Sequence, residues 1–167
     1  EWLYYPVNSD WAIGMDFAVL KKRAYHGPFN FTNYARKLHG FKVHWVKFLG
    51  SQYFLNLYYN WRCTNLEFKI AAGKFLADDF GARIEVSRYF PSGLRMGFWY
   101  THTNGRDRIN NSTYYDKGIF VSVPLDIFYT DTSRTRWGYG MSAWLRDVGV
   151  AGRSGNMLYD LINQERQ

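Results

Sequence analysis

The sequence predicts an all-β chain: an antiparallel transmembrane β-barrel of the outer-membrane kind, or a segment of one, with about eight strands. The first observation behind this is a period of two, repeated three times between Leu66 and His102. Leu66, Phe68, Ile70 and Ala72 alternate with Glu67, Lys69, Ala71 and Gly73. Phe80, Ala82, Ile84 and Val86 oppose Gly81, Arg83, Glu85 and Ser87, and Leu94, Met96, Phe98 and Tyr100 oppose Arg95, Gly97, Trp99 and Thr101. Successive side chains leave a pleated strand on opposite faces, so such runs are strands. The second observation is what alternates. The polar face mixes both charge signs with Gly, Ser and Thr, while the apolar face is broad and aromatic, as lipid outside a polar lumen requires. The third is the spacing of connections. Turns near Asn60–Asn65 and Pro91–Gly93 are short, the one near Phe75–Asp79 is longer, and the polar stretch Asn104–Tyr114 is long. Barrels put short turns at one rim and long loops at the other. A soluble half-buried sheet also alternates, so a soluble sandwich or lipocalin-like barrel stays open on pattern alone.

Composition fits either reading. Residues 1–167 read as one domain, long enough for a sizeable core. Aromatic residues make up 20%, led by 14 Tyr, whose apolar body and polar tip suit membrane interfaces and sugar stacking. No apolar run is long enough for a transmembrane helix. The mean hydropathy of −0.40 is compatible with a membrane barrel, since half of each strand is polar. The net charge of +7 points to acidic partners. The basic residues are scattered, with Lys21-Lys22-Arg23 the one tight run, which argues against nucleic acid. Cys63 has no second cysteine to pair with.

The elements follow in order. Residues 1–10 are aromatic and then turn-like, suited to closing an upstream strand. From Trp11 to Lys22, Trp11, Ile13, Met15, Phe17 and Val19 share one face, and Gly14, Asp16, Ala18 and Lys22 the other. An inward Asp16 needs a cation or water. Residues 25–40 read as a long loop with a short helical turn near Tyr34–Leu38. Residues 41–61 give two runs bent at Gly50-Ser51. After the three-strand block, Lys117, Ile119, Val121 and Val123 oppose Gly118, Phe120 and Ser122, and Pro124 stops the run. Trp137, Tyr139, Met141, Ala143 and Leu145 then oppose Arg136, Gly138, Gly140, Ser142, Trp144 and Arg146. The tail ends in a short strand or helix over Met157–Ile162.

No catalytic signature is present: no G-x-S-x-G, H-E-x-x-H, P-loop or C-x-x-C. His26, His39, His44 and His102 stand apart, so neither a metal nor a cofactor is expected. The candidate functional set is the lumen face: Asp16, Glu67, Lys69, Arg83, Glu85, Arg95, Trp99, Arg136, Trp144 and Arg146. Arginines can donate to acidic or hydroxyl groups of a glycan, and indoles can stack on sugar rings. The same charges can instead pair across strands and plug the interior. An eight-stranded interior is nearly filled by side chains, so a polymer needs a wider barrel built with further chain or partner subunits.

Four segments in fixed order, Gly73–Gly81, Ser87–Thr103, Asp116–Leu125 and Arg146–Gly149, resemble the YjbH/GfcD-type exopolysaccharide and capsule biosynthesis proteins of Gram-negative bacteria. The resemblance covers roughly residues 50–150. It implies the C-terminal barrel of a longer outer-membrane lipoprotein. The implied role is non-catalytic export or secretion of exopolysaccharide or capsule. The implied partners are polysaccharide, acidic kinds included, outer-membrane lipids and other exopolysaccharide export proteins. An outer-membrane or periplasmic enzyme acting on glycan or lipid, and a soluble barrel binding a small apolar ligand, are the rival expectations.

Overall fold

A computed structural model describes the chain except residues 25, 26, 28, 40, 41, 48, 49, 77, 106, 107, 110, 111, 114, 126–134, 143–148, 153, 154 and 165–167. For 35–39, 42, 44, 46, 47, 108, 109, 112, 113 and Gln164 it describes the backbone only.

The main body is one antiparallel sheet of eight strands. They are β1 (Trp2–Tyr4), β2 (Trp11–Val19), β7 (Ser51–Trp61), β8 (Leu66–Lys74), β9 (Phe80–Tyr89), β10 (Arg95–Thr103), β13 (Lys117–Pro124) and β14 (Arg136–Ser142), paired in that order. Each strand pairs with the sheet member before it in sequence, so hydrogen bonding is a simple meander. Three small hairpins lie outside this sheet: β3 (Lys22–Arg23) with β4 (Phe31–Thr32), β5 (Tyr34–His39) with β6 (Lys42–Lys47), and β11 (Arg108–Ile109) with β12 (Ser112–Thr113). One helix, α1 (Leu158–Gln164), follows the last strand. No helix among the described residues is long and apolar enough to cross a membrane. Nor does β1 or β14 pair with a further strand among them, so the sheet is open at both edges.

The connections sort by rim, as meander geometry requires. The turns 62–65 and 90–94 lie at one rim, beside the β1–β2 turn, whose Asp10 carbonyl accepts from Asn60 N (2.7 Å). Connections 20–50, 75–79 and 104–116 lie at the other. Left-handed Asn65 (φ 52°) helps close the four-residue turn after β7, a conformation asparagine tolerates.

The face assignment follows the predicted phase. Ile84 (44% exposed), Phe98 (53%) and Ile119 (54%) all face outward. On the opposite face Glu67 is 2% exposed, and Gln52, Asn56, Ser87 and Thr101 are buried with it. Charged residues in the outward phase stand near strand ends: Lys74 closing β8, Arg88 next to the end of β9, and Lys117 opening β13. The inner face is thinned where aromatic rings cross it. Gly97 pairs with Phe120 and Gly118 with Trp99. A Cβ on Gly97 would meet the Phe120 ring at 2.6 Å, so the ring lies on the glycine backbone.

Three expectations need correction. Tyr34–Leu38 is not a helical turn but strand β5, in register with β6 from Tyr34↔Lys47 to His39↔Lys42. Strand preference depends on the partner, which a local reading does not supply. The strand beginning at Trp11 stops at Val19, so Lys22 belongs to β3 and not to the inner face. Leu20 instead donates its backbone N–H to the Gly50 carbonyl (2.5 Å), where the chain leaves the sheet. The predicted strand number holds with altered membership: β6 stands outside the main sheet, and Trp2–Tyr4 supplies its first strand.

Candidate functional site

Inward residues of β8, β9 and β10 form one polar network, and α1 is laid across it. Glu67 on β8 is the centre. Its Oε2 accepts from Arg95 (2.6 Å) and from Ser87 Oγ (3.1 Å), and its Oε1 from Asn163 Nδ2 of α1 (3.1 Å). Arg95 also reaches Glu85 (3.4 Å) and donates Nε–H to Ser87 Oγ (3.1 Å). Its guanidinium lies about 5 Å from the rings of Tyr89 and Phe120. Lys69 sits between Glu67 (3.9 Å) and Glu85 (4.0 Å) and pairs directly with Asp160 of α1. A buried carboxylate is tolerable only with such a full set of partners.

Packing fixes the helix as firmly as charge does. The Tyr159 ring stacks on Tyr58 at 3.9 Å and 10°, and it is 1% exposed. With Ala12 these two rings form a cluster of buried apolar residues. Burial, and then the nearby Glu67 carboxylate, push the Tyr159 hydroxyl well above the ordinary tyrosine range. Leu158 N–H donates to Glu1 Oε1 (3.0 Å), tying the helix start to the first residue.

A second group lies beside the first. Asp116 accepts from Trp99 Nε1 (3.1 Å) and Thr101 Oγ1 (3.3 Å), and Arg83 stands 3.8 Å away with its guanidinium over the Trp99 ring. Further along the same face, Asn56 Nδ2 donates to Asp16 Oδ2 (2.7 Å). Gln52 and Gly152 exchange two hydrogen bonds, side-chain N–H to carbonyl (2.6 Å) and backbone N–H to Oε1 (2.8 Å), which pins the segment entering α1. Asp78 and Asp79 diverge, as adjacent residues do: Asp78 pairs with Lys74 (2.6 Å), and Asp79 accepts from Gly149 N (2.9 Å).

The structure thus gathers Glu67, Lys69, Glu85 and Arg95 into one network. It places Arg83 and Trp99 around Asp116, and Asp16 against Asn56. Arg136 stands apart near the short-turn rim, where it donates to the Gly93 carbonyl (2.5 Å) and to Ser122 Oγ (3.0 Å). Trp144 and Arg146 lie outside the described residues. Sequence reasoning missed Asn56, Gln52, Ser87 and Asp116. The first three were legible as polar residues in the inward phase of their strands. Tyr159, Asp160 and Asn163 had no such signal, because nothing local says where a tail helix docks. No group of three or more His, Cys, Asp or Glu side chains suited to a metal ion occurs among the described residues.

Fold and site together define an all-β protein of inverted polarity: an antiparallel sheet with an apolar outer face and a charged, hydrogen-bonded inner one. The family model described as "Exopolysaccharide biosynthesis protein YbjH" (YjbH) matches residues 1–164, and the chain belongs to that family. It is 29% identical over 166 residues to "Uncharacterized lipoprotein YjbH" of Escherichia coli (strain K12). That match covers 98% of this chain and 22% of the relative, so the chain spans about a fifth of the relative's length. No solved structure gives a significant match.

Proposed function

We propose that this chain forms part of the wall of an outer-membrane β-barrel that serves exopolysaccharide or capsule export, without catalysing a reaction. The observation that carries the reading is the inverted polarity of the sheet. Burying Glu67, Lys69 and Arg95 while exposing Leu55, Leu57, Ile84 and Phe98 is unfavourable in water and favourable with hydrocarbon on the outer side. Strand length agrees. β2, β8 and β10 have 9 residues, β9 has 10 and β7 has 11, the range that crosses a bilayer when tilted. Outward Trp11, Tyr59, Trp61 and Trp137 stand near strand ends at the short-turn rim and outward Tyr53 near the opposite one, as suits the two interfaces, and Lys74, Arg88 and Lys117 suit the headgroups.

Family membership supports the polysaccharide side, and the relative's description as a lipoprotein supports a cell-envelope location. The open edges at β1 and β14 are met, in this reading, by further strands from a longer chain or a partner subunit. A non-catalytic role is favoured because Asp16, Glu67, Glu85, Asp116 and Asp160 are each held by a cation or an amide.

The test is vesicle insertion of the full-length protein, wild type against Ile84→Lys. A lysine at mid-belt costs about 2–4 kcal/mol in hydrocarbon, and almost nothing on a water-facing sheet. Loss of flotation in the variant and loss of surface glycan on gene deletion, with no glycan hydrolysis in vitro, are expected. A wild-type protein that is monodisperse without detergent, or an Ile84→Lys variant that floats normally, overturns the proposal.

A further inference from the structure

We infer that the connection carrying the hairpins β3–β4 and β5–β6 docks on anionic, phosphate-bearing lipid headgroups at the long-loop rim, through Lys21, Lys22, Arg23, Phe29, Phe31 and Trp45. The inference deepens the membrane reading, on which it rests for the side of the sheet that meets lipid. Charge distribution is the first ground. No acidic residue lies between Asp16 and Glu67, whereas residues 20–50 hold seven Lys or Arg, from Lys21 to Lys47. The whole chain has 21 Lys and Arg against 14 Asp and Glu, so outside this segment the two signs balance at 14 each. The net charge of +7 is therefore the charge of one connection at one rim. Among the described residues no carboxylate pairs with Lys21, Lys22 or Arg23, in contrast to the paired inner face.

Exposed apolar rings are the second ground. Phe29 is 86% exposed, Phe31 61% and Trp45 68%. A phenyl ring has no polar atom, so such exposure is unfavourable in water and is relieved where an apolar phase receives the ring. Register sets cations beside the rings. Arg23 pairs directly with Phe31 across β3–β4, so the two residues share a face. In β5–β6 the pairs Tyr34↔Lys47 and Arg36↔Trp45 put exposed Tyr34, Val43 and Trp45 in one phase. Positions 37, 39, 42 and 44 of the alternate phase hold only Lys or His. Rings in one phase and cations in the other is the pattern of an element that lies in the headgroup layer.

Continuity with the outer face decides between a lipid surface and a soluble polyanion. The segment leaves the sheet just past outward Phe17 and Val19, 65% and 64% exposed, and returns at Gly50 beside outward Tyr53. The apolar belt thus reaches the point of departure, and a bilayer that covers the belt brings its headgroups to the segment's cations. A soluble acidic polymer would meet the same cations and leave Phe29 and Phe31 in water.

The experiment places the full-length protein in phosphatidylcholine vesicles with a trace of spin-labelled phosphatidylglycerol or spin-labelled phosphatidylcholine, and reads the motionally restricted lipid by electron paramagnetic resonance. The phosphatidylglycerol label should be enriched about two- to fivefold over the other, fivefold being the gain from one cation beside one anionic headgroup. Salt at about 0.5 M should abolish the enrichment by screening. The triple variant Lys21→Gln/Lys22→Gln/Arg23→Gln should roughly halve it, and the charge-preserving Lys21→Arg/Lys22→Arg should leave it intact. The emission lost in Trp45→Phe should be emission that acyl-brominated phospholipid quenches in the wild type. Equal restriction of the two labels, unchanged enrichment in the triple variant, or unquenched Trp45 emission each overturns the proposal. Binding of soluble polyglutamate in place of lipid enrichment also overturns it, in favour of a soluble acidic partner. Carbonate-resistant flotation in pure phosphatidylcholine reads the barrel wall by itself. Flotation there without enrichment rejects the docking surface alone, and salt-removable binding to phosphatidylglycerol vesicles without insertion rejects the barrel wall alone.

Discussion

Removing the Glu67 carboxylate tests whether the inner face is held by paired charge. Glu67 is 2% exposed and accepts three hydrogen bonds, from Arg95, Ser87 and Asn163. Truncating one partner of a buried ion pair typically costs about 3–5 kcal/mol, because the other charge stays buried. Arg95 keeps a second carboxylate, Glu85, at 3.4 Å, which places Glu67→Ala near the lower end, about 3 kcal/mol. Glu67→Gln keeps the shape and an acceptor oxygen but loses the charge, for about 2 kcal/mol. Combining it with Arg95→Gln removes both charges, so the double variant should cost about 1–2 kcal/mol less than the sum of the singles. The assay is urea unfolding of the detergent-folded protein by tryptophan fluorescence. Asp78→Asn is the control: Asp78 pairs with Lys74 but its side chain is 58% exposed, and asparagine tolerates its left-handed backbone (φ 67°), so the loss of charge should stay within about 0.5 kcal/mol. A Glu67→Ala cost below about 1 kcal/mol, or additive behaviour of the pair, would refute the paired-interior argument.

Two further outcomes follow from packing. Tyr159→Ala removes a ring that is 1% exposed and stacked on Tyr58, and should destabilise the fold by about 3–5 kcal/mol while raising hydrogen exchange along α1. Tyr159→Phe, which keeps the stack, should cost far less, and equal losses in the two variants would show that the stack does not hold the helix. Gly118→Val places a branched side chain against the Trp99 ring and the Met141 carbonyl, with an expected overpacking cost of about 1–3 kcal/mol in the same urea assay. If Gly118→Val adds no cost in a Trp99→Ala background the indole is the clash, and an undiminished cost there places it at the backbone.

The strands were legible because a period of two survives in any environment: the pleat alone sends Glu67, Arg83 and Arg95 to one side and Phe68, Ile84 and Phe98 to the other. Strand β5 was missed for the complementary reason. Arg36 and Lys37 interrupt the apolar alternation of Tyr34–His39, so the segment shows itself as strand only through its pairing with β6. Of the site, the residues on neighbouring strands could be placed by phase. Asp160 and Asn163 could not, since they reach Lys69 and Glu67 across 91 and 96 residues of chain.

By itself the sequence determined strand identity, the two faces of the sheet and the residue chemistry on each, since all three follow from local sterics and alternation. Only the tertiary structure decided which carboxylate meets which cation, and that the tail returns as a helix across the polar face. Those outcomes depend on registers and long-range docking, whose energies arise only when distant parts of the chain share one volume.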